Sequence, residues 1–174
     1  MRQCEGVVVR SEMAEDRAAV RRVNELAFGQ PNEADLVDAL RAAAPSCISL
    51  VATHEGEVVG HILFSPVTIE SPAGAFLALG LAPMAVLPEF QRRGIGSRLM
   101  REGLARCARQ GHTVVVVLGH PTYYPRFGFV PAATKGLSCE YPVPDEVFMV
   151  VELTRGALAG RTGLVKYRPE FAAV

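Results

Sequence analysis

The chain has 174 residues, near the usual domain length of roughly 100–200 residues and long enough to bury a sizeable core. Its 18 basic and 18 acidic side chains cancel, which removes the bulk field that would favour nucleic acid or an anionic membrane as partner. The first residues carry charge instead of a continuous apolar stretch, and no window approaches the ~18 apolar residues of a membrane span, so a cytoplasmic protein is expected.

Val7–Arg10 reads as a first strand, and the residues from Met13 to Phe28, with Val20, Val23, Leu26 and Ala27 on one side, read as a helix for which Ser11 is the expected cap. After the break at 29–32, Leu36, Val37 and Leu40 place a second helix over Glu33–Ala43. Two β-rich runs, 48–54 and 58–69, are joined at Glu55, Gly56 and Glu57 as a hairpin, and residues 71–74 turn the chain into a strand ending near Val86. From Ile95 on, the repeat of Ile95, Leu99, Gly103 or Leu104, and Cys107 gives an amphipathic helix whose arginines, among them Arg98, Arg101 and Arg106, form a solvated face. Gly111 ends that helix, and the run of four valines and a leucine over 113–118 suits a strand buried on both faces. A turn-rich stretch, a strand from Phe129 and another over 147–153 follow, and the tail from Thr154 to Val174 carries no assignable pattern. One domain over 1–174 is expected, with its core at about 7–153 and a C-terminal extension over 154–174. Cys4, Cys47, Cys107 and Cys139 show no C-x-x-C spacing, so free thiols in a reducing compartment and no metal are expected.

The most informative stretch is the turn Gln91-Arg92-Arg93-Gly94-Ile95-Gly96-Ser97 between strand and helix. Gly94 and Gly96 lack the Cβ atoms that would hold a ligand off the backbone, and the N–H groups of a helix start attract an anion such as a diphosphate. A Walker A loop fits poorly because Gly94-Ile95-Gly96-Ser97 holds no lysine, and a dinucleotide fingerprint fits poorly because Leu99 stands where its third glycine belongs and Val114–Leu118 is apolar where its acidic ribose partner belongs.

These residues resemble the Q/R-x-x-G-x-G/A signature of the GNAT superfamily of N-acetyltransferases. Met84-Ala85-Val86 with Pro88 resembles the end of that family's fourth strand, and Tyr124, Gly128 and Phe129 resemble its later tyrosine and Gly-Phe pair. From Gly56 to Phe129 the wording is most like the YhbS-like acetyltransferases. The resemblance implies an α/β (α+β) GNAT fold: a mixed, mostly antiparallel sheet of six to seven strands, splayed central parallel strands four and five, and about four helices.

The resemblance also implies acetyl-CoA or another acyl-CoA as cosubstrate, without a metal, and an amine acceptor. Gln91, Arg92, Arg93, Gly94, Ile95, Gly96 and Ser97 would hold the diphosphate, while Met84, Ala85 and Val86 would pair with the pantetheine arm. Pro83 cannot donate a ladder bond, which suits the splay. Tyr124, four residues before Gly128, would protonate the departing thiolate, and Tyr123 would pack or touch substrate. Many family members carry a fourth-strand glutamate as base, yet Leu79–Leu87 holds none. His120, just past the fifth strand, is one candidate base; Glu33, at the start of the second helix, is another candidate base or an acceptor contact; and a water chain is a third route. His61 reads as a satisfied core histidine.

Three functions remain open on these residues. The first is an N-acyltransferase in which an amine attacks the thioester directly; the second is a non-catalytic acyl-CoA sensor or assembly protein; the third is an unrelated phosphate-ligand domain. A homodimer is a family-level expectation, and the identity of the acceptor is not written in the chain.

Overall fold

The structure, a computed structural model, describes residues 5–174; Met1–Cys4, which include the first cysteine and the start of the charged N-terminal stretch, lie outside the described residues. The chain runs β1 (Val7–Ser11), α1 (Arg17–Phe28), α2 (Asn32–Ala43), β2 (Ile48–His54), β3 (Glu57–Ser71), β4 (Gly74–Val86), α3 (Ile95–Arg109) and β5 (Val114–Leu118). Four short or late strands follow: β6 (Val130–Pro131), β7 (Leu137–Cys139), β8 (Phe148–Glu152) and β9 (Gly163–Lys166). The helix start differs from expectation, because Ser11 closes β1 and does not cap α1. No side chain caps α1: Asp16 stands at the N-cap position, but its carboxylate accepts the Met13 N–H at 2.7 Å and the Arg10 guanidinium at 2.6 and 2.9 Å, fastening the helix entry to β1.

The strands form one sheet in the order β1-β2-β3-β4-β5-β8-β6, with β9 beside the far half of β3 and β7 beside β9. Pairing is antiparallel except between β4 and β5 and between β7 and β9. The described residues therefore hold nine strands and three α-helices, where six to seven and about four were expected. The strand expected from Phe129 is β6, only two residues long, and the unannounced strands β7 and β9, three and four residues long, are too short for an alternating pattern to mark them. No fourth α-helix forms after β5, because Pro125 opens and Gly128, at φ 92°, closes a single 3₁₀ turn over Tyr124–Phe127.

Alternation along β3 puts helices on both faces of the sheet. Gly60, Ile62 and Phe64 meet Ile95, Leu99 and Gly103 of α3, whereas His61 reaches Asn24 of α1 on the other side. The patternless tail lies on the α1 face: β9 pairs with Thr68–Glu70 of β3, and Tyr167 packs over Gly80, where a Cβ would come within 2.9 Å of Val67 and 3.2 Å of the Tyr167 ring. Of the α3 arginines, Arg98 and Arg101 are exposed as the pattern suggests, and Arg98 and Arg106 donate to the Val7 carbonyl and the Ser11 hydroxyl of β1. Cys47, Cys107 and Cys139 are free thiols.

His61 is fully buried, and its two ring nitrogens are engaged. Asn24 Nδ2 donates to Nδ1 at 3.1 Å; Ser49 Oγ, 2.9 Å from Nε2, donates its own proton to the Glu12 carboxylate, so Nε2 carries the ring proton. Arg41 in turn pairs with Glu12 and, at 2.6 Å, with Asp38. Burial, reinforced by the charge of Arg41, pushes the His61 pKa down to about 3 and keeps the ring neutral.

Two predictions come from this packing. A Cβ on Gly103 would lie 2.6 and 2.7 Å from the Phe64 ring, so Gly103→Ala is expected to lower stability by about 1–3 kcal/mol in urea unfolding. Because the unfolded chain binds a proton at His61 near pH 6.5 and the folded chain does not until about 3, stability falls as pH drops through that window. The urea midpoint should decline from pH 6.5 to 4.5 in the wild type and decline less in His61→Gln.

Candidate functional site

The glycine loop takes the shape its residues suggest. Past a 3₁₀ turn at Pro88–Phe90, Arg92 at φ 61° and Gly94 at φ 85° both adopt the left-handed conformation, a backbone turn that gathers successive N–H groups on one side. Gly94 does so without a Cβ penalty; Arg92 bears a cost of roughly 1–2 kcal/mol. The first intrahelical bond of α3 is Arg98 N–H to the Gly94 carbonyl at 3.0 Å, so the Ile95, Gly96 and Ser97 N–H groups have no partner within the helix. No side chain caps that end. Gln91 Nε2 donates to the Val86 carbonyl at 2.9 Å and ties the loop to β4, while the Arg93 guanidinium lies 5.2 Å over the Phe90 ring.

β4 parts from β5 just before this loop. The two strands pair only at Leu79–Leu81 with Val115–Val117, although β4 continues beside β3 through Met84, Ala85 and Val86. The register with β3 slips at the same place: between Ile62 and Phe64 two steps of β3 oppose three of β4, from Met84 to Leu81, and the additional residue lies in the Ala82-Pro83 segment. The edge of Ala82–Val86 turned away from β3 is therefore left without a strand, and apart from the Val86 carbonyl, which Gln91 holds, no partner strand takes its backbone groups.

Tyr124 lies at the start of the turn that follows β5. A Cβ on Gly119 would come within 2.2 Å of its ring, so glycine at the end of β5 is what lets the tyrosine lie against the backbone. Its ring packs edge-on against Tyr123 at 5.1 Å and Phe129 at 5.6 Å. Burial first, and Tyr123 second, push its pKa up to about 12, which keeps the hydroxyl protonated at neutral pH. Tyr123 reaches back to the loop: its hydroxyl lies 3.2 Å from where a Gly96 Cβ would stand, with Met84 Cε at 3.7 Å from the same point. Tyr123 thus brings the tyrosine turn, the loop and the end of β4 together.

The two candidate bases are placed less closely. His120 is exposed just beyond β5, and its carbonyl accepts the Tyr123 N–H at 3.1 Å. Glu33, in the first turn of α2, accepts Gln30 Nε2 at 3.1 Å on both oxygens, a bond local to the α1–α2 connection. A cavity of 280 Å³ lined by Arg41, Ser49, Arg106 and Gln110 belongs to neither; it opens beside the far end of α3, about 20 Å from the loop at 1.5 Å rise per residue. Among the described residues no group of three or more His, Cys, Asp or Glu side chains is placed to hold a metal, and no helix is long and apolar enough to cross a membrane.

Sequence reasoning did not single out Arg126. Its Nη2 donates to Ser97 Oγ at 2.9 Å, and its guanidinium lies 4.7 Å over the Tyr123 ring and 5.4 Å over Phe127. Ser97 and Arg126 are 29 positions apart, and no local pattern joins them.

Comparison with known proteins gives this arrangement its class. Residues 8–132 match the acetyltransferase (GNAT) domain. The uncharacterized N-acetyltransferase YjhQ of Escherichia coli is 46% identical over 135 residues, covering 75% of this chain and 74% of that protein. The uncharacterized N-acetyltransferase YhbS of the same organism is 36% identical over 166 residues, 95% of this chain and 98% of its own. The crystal structure of Escherichia coli YhbS in complex with CoA superimposes with a TM-score of 0.89 at 35% identity, covering 95% of this chain and 92% of that one. A GNAT family acetyltransferase from Brucella melitensis in complex with acetyl-CoA gives 0.78 at 37% identity, covering 95% and 97%. The chain belongs to the GNAT acetyltransferase family.

Proposed function

We propose that this chain transfers an acetyl group from acetyl-CoA to a primary amine by direct attack within a ternary complex. The observation that carries this reading is the parting of β4 from β5 between a free helix start and a buried tyrosine. The CoA complexes of the YhbS and Brucella melitensis relatives support the choice of donor.

The chain's own groups divide the work. The Ile95, Gly96 and Ser97 N–H groups receive the diphosphate, and Arg92 and Arg93 add charge-assisted contacts. The open edge of Met84–Val86 aligns the pantetheine arm, and an N–H there polarises the thioester carbonyl as charge builds on its oxygen. The amine lone pair attacks the carbonyl carbon, the C–S bond breaks, and the thiolate takes the Tyr124 phenolic proton. His120, directly or through water, accepts the proton the amine sheds; Glu33, braced by Gln30, supplies a carboxylate for the acceptor's ammonium or serves as the base in its place. A homodimer is compatible with this scheme and not required by it.

A second reading, a non-catalytic acyl-CoA sensor, is favoured by one observation: Leu79–Leu87 carries no acidic residue to serve as base. The two part on turnover. Acetyl-CoA should raise the melting temperature under both, but release of free CoA with an amine panel is expected only of the enzyme. Tight donor binding with no turnover on amines and peptides would establish the sensor.

The catalytic assignment has its own test. Tyr124→Phe is expected to lower kcat by about 10²–10⁴-fold with little change in acetyl-CoA affinity; full turnover in that variant would remove Tyr124 from the mechanism. Since burial holds Tyr124 protonated to about 12, kcat should show no alkaline decline from this group between pH 7 and 10.

A further inference from the structure

We propose that Arg126 is a positioning residue that couples donor binding at the start of α3 to the placement of the Tyr124 hydroxyl, an inference that rests on Tyr124 as the acid. The turn carrying Tyr124 follows β5 through the 119–123 segment, with the Tyr124 ring seated against Gly119 and Phe129, and Pro125 and Gly128 limit it to one 3₁₀ turn. Its other fastening is to α3. Arg126 Nη2 donates to Ser97 Oγ at 2.9 Å while the plane of the same guanidinium covers Tyr123 at 4.7 Å and Phe127 at 5.4 Å. Arg101, two turns along α3 from Gly94, lies 5.5 Å over the Phe127 ring, and the Tyr123 hydroxyl approaches Gly96. Tyr123 then meets Tyr124 edge-on at 5.1 Å. The contacts run from Ser97 through Arg126 and Tyr123 to Tyr124 without a gap.

Ser97 is also one of the three residues whose N–H groups are free to take the diphosphate. A doubly charged group bound there lies beside the Arg126 cation, attracts it, and draws the tyrosine turn toward α3. An exposed hydrogen bond alone would be weak; an arginine that stacks on two rings and donates at once is held in one orientation, which a lysine's single flexible ammonium cannot reproduce. The ligand contact thereby becomes a geometric constraint on the acid. The tyrosine is drawn into place when a complete donor is bound.

A double-mutant cycle with Tyr124→Phe tests this, using acetyl-CoA and an amine that the wild type acetylates. Arg126→Ala is expected to lower kcat about tenfold, a fraction of the ~10²–10⁴ a positioned acid contributes, with KM for acetyl-CoA changing less than kcat. Arg126→Lys should restore part of the loss, and Arg126→Ala should cost nothing further in the Tyr124→Phe background. Multiplicative losses, or a rise in KM with kcat intact, overturn the positioning role while leaving Tyr124 as the acid. Full turnover in Tyr124→Phe instead overturns the acid assignment and this inference with it. Should Arg126→Ala not fold, Ser97→Ala removes the acceptor of the same bond and enters the same cycle. Hydrogen exchange reads the coupling without an acceptor: CoA should slow exchange of the amides at 123–128 in the wild type and not in Arg126→Ala with CoA bound, and equal slowing in both overturns the proposal.

Discussion

Backbone hydrogen-bonding groups must be satisfied wherever they lie, and a strand that loses its neighbour midway leaves a row of them open. β4 does this after Leu81, where β5 turns off into Gly119 and the Tyr124 turn while β4 runs on beside β3 to Val86. Pro83 and the register slip opposite Ile62 and Phe64 bend the strand at the place where the partner is lost. Everything proposed for this chain depends on that gap. The loop after it presents free N–H groups, the turn beyond β5 presents a buried phenol, and the open edge lies between them.

A gap in the middle of a sheet needs firm support on both sides. On one face, α3 packs closely enough that a Cβ on Gly103 would run into the Phe64 ring and one on Gly60 would press against Leu99. On the other, His61 is held neutral between Asn24 and Ser49 beneath α1, with Glu12 and Arg41 satisfying the chain of bonds outward. The tail adds a third support: β9 extends the sheet beside β3, and Tyr167 covers Gly80 one residue before β4 leaves β5. Charge contributes to local geometry here, through Asp16 at a helix start and Arg126 across two elements, and not through any net field.

Much of this was legible in the residues, and the reason is locality. The spacing of Leu36, Val37 and Leu40, the run Val114–Leu118, and the pair Gly94 and Gly96 each state their structure within a few positions, because helix period, strand burial and left-handed φ are local properties. The family signature is local for the same reason. What local pattern misled on was equally specific: Ser11 had the chemistry of a cap but the pairing of a strand with Leu50, and tertiary contact decided for the strand. β9 and Tyr167 gave no pattern at all, since a four-residue strand takes its stability from the β3 edge it meets.

The residues alone established the glycine loop, the order of the main elements and the family, since each rests on residues adjacent in the chain. Only the tertiary structure decided that Gly119 makes room for Tyr124, that Tyr123 stands over Gly96, and that Arg126 joins Ser97 to the tyrosine turn. Those contacts bring together segments separated by up to 29 positions, and their distances are fixed by how α3 and β5 pack on the sheet. Packing is a property of the whole assembled core, so no short stretch of the chain encodes it.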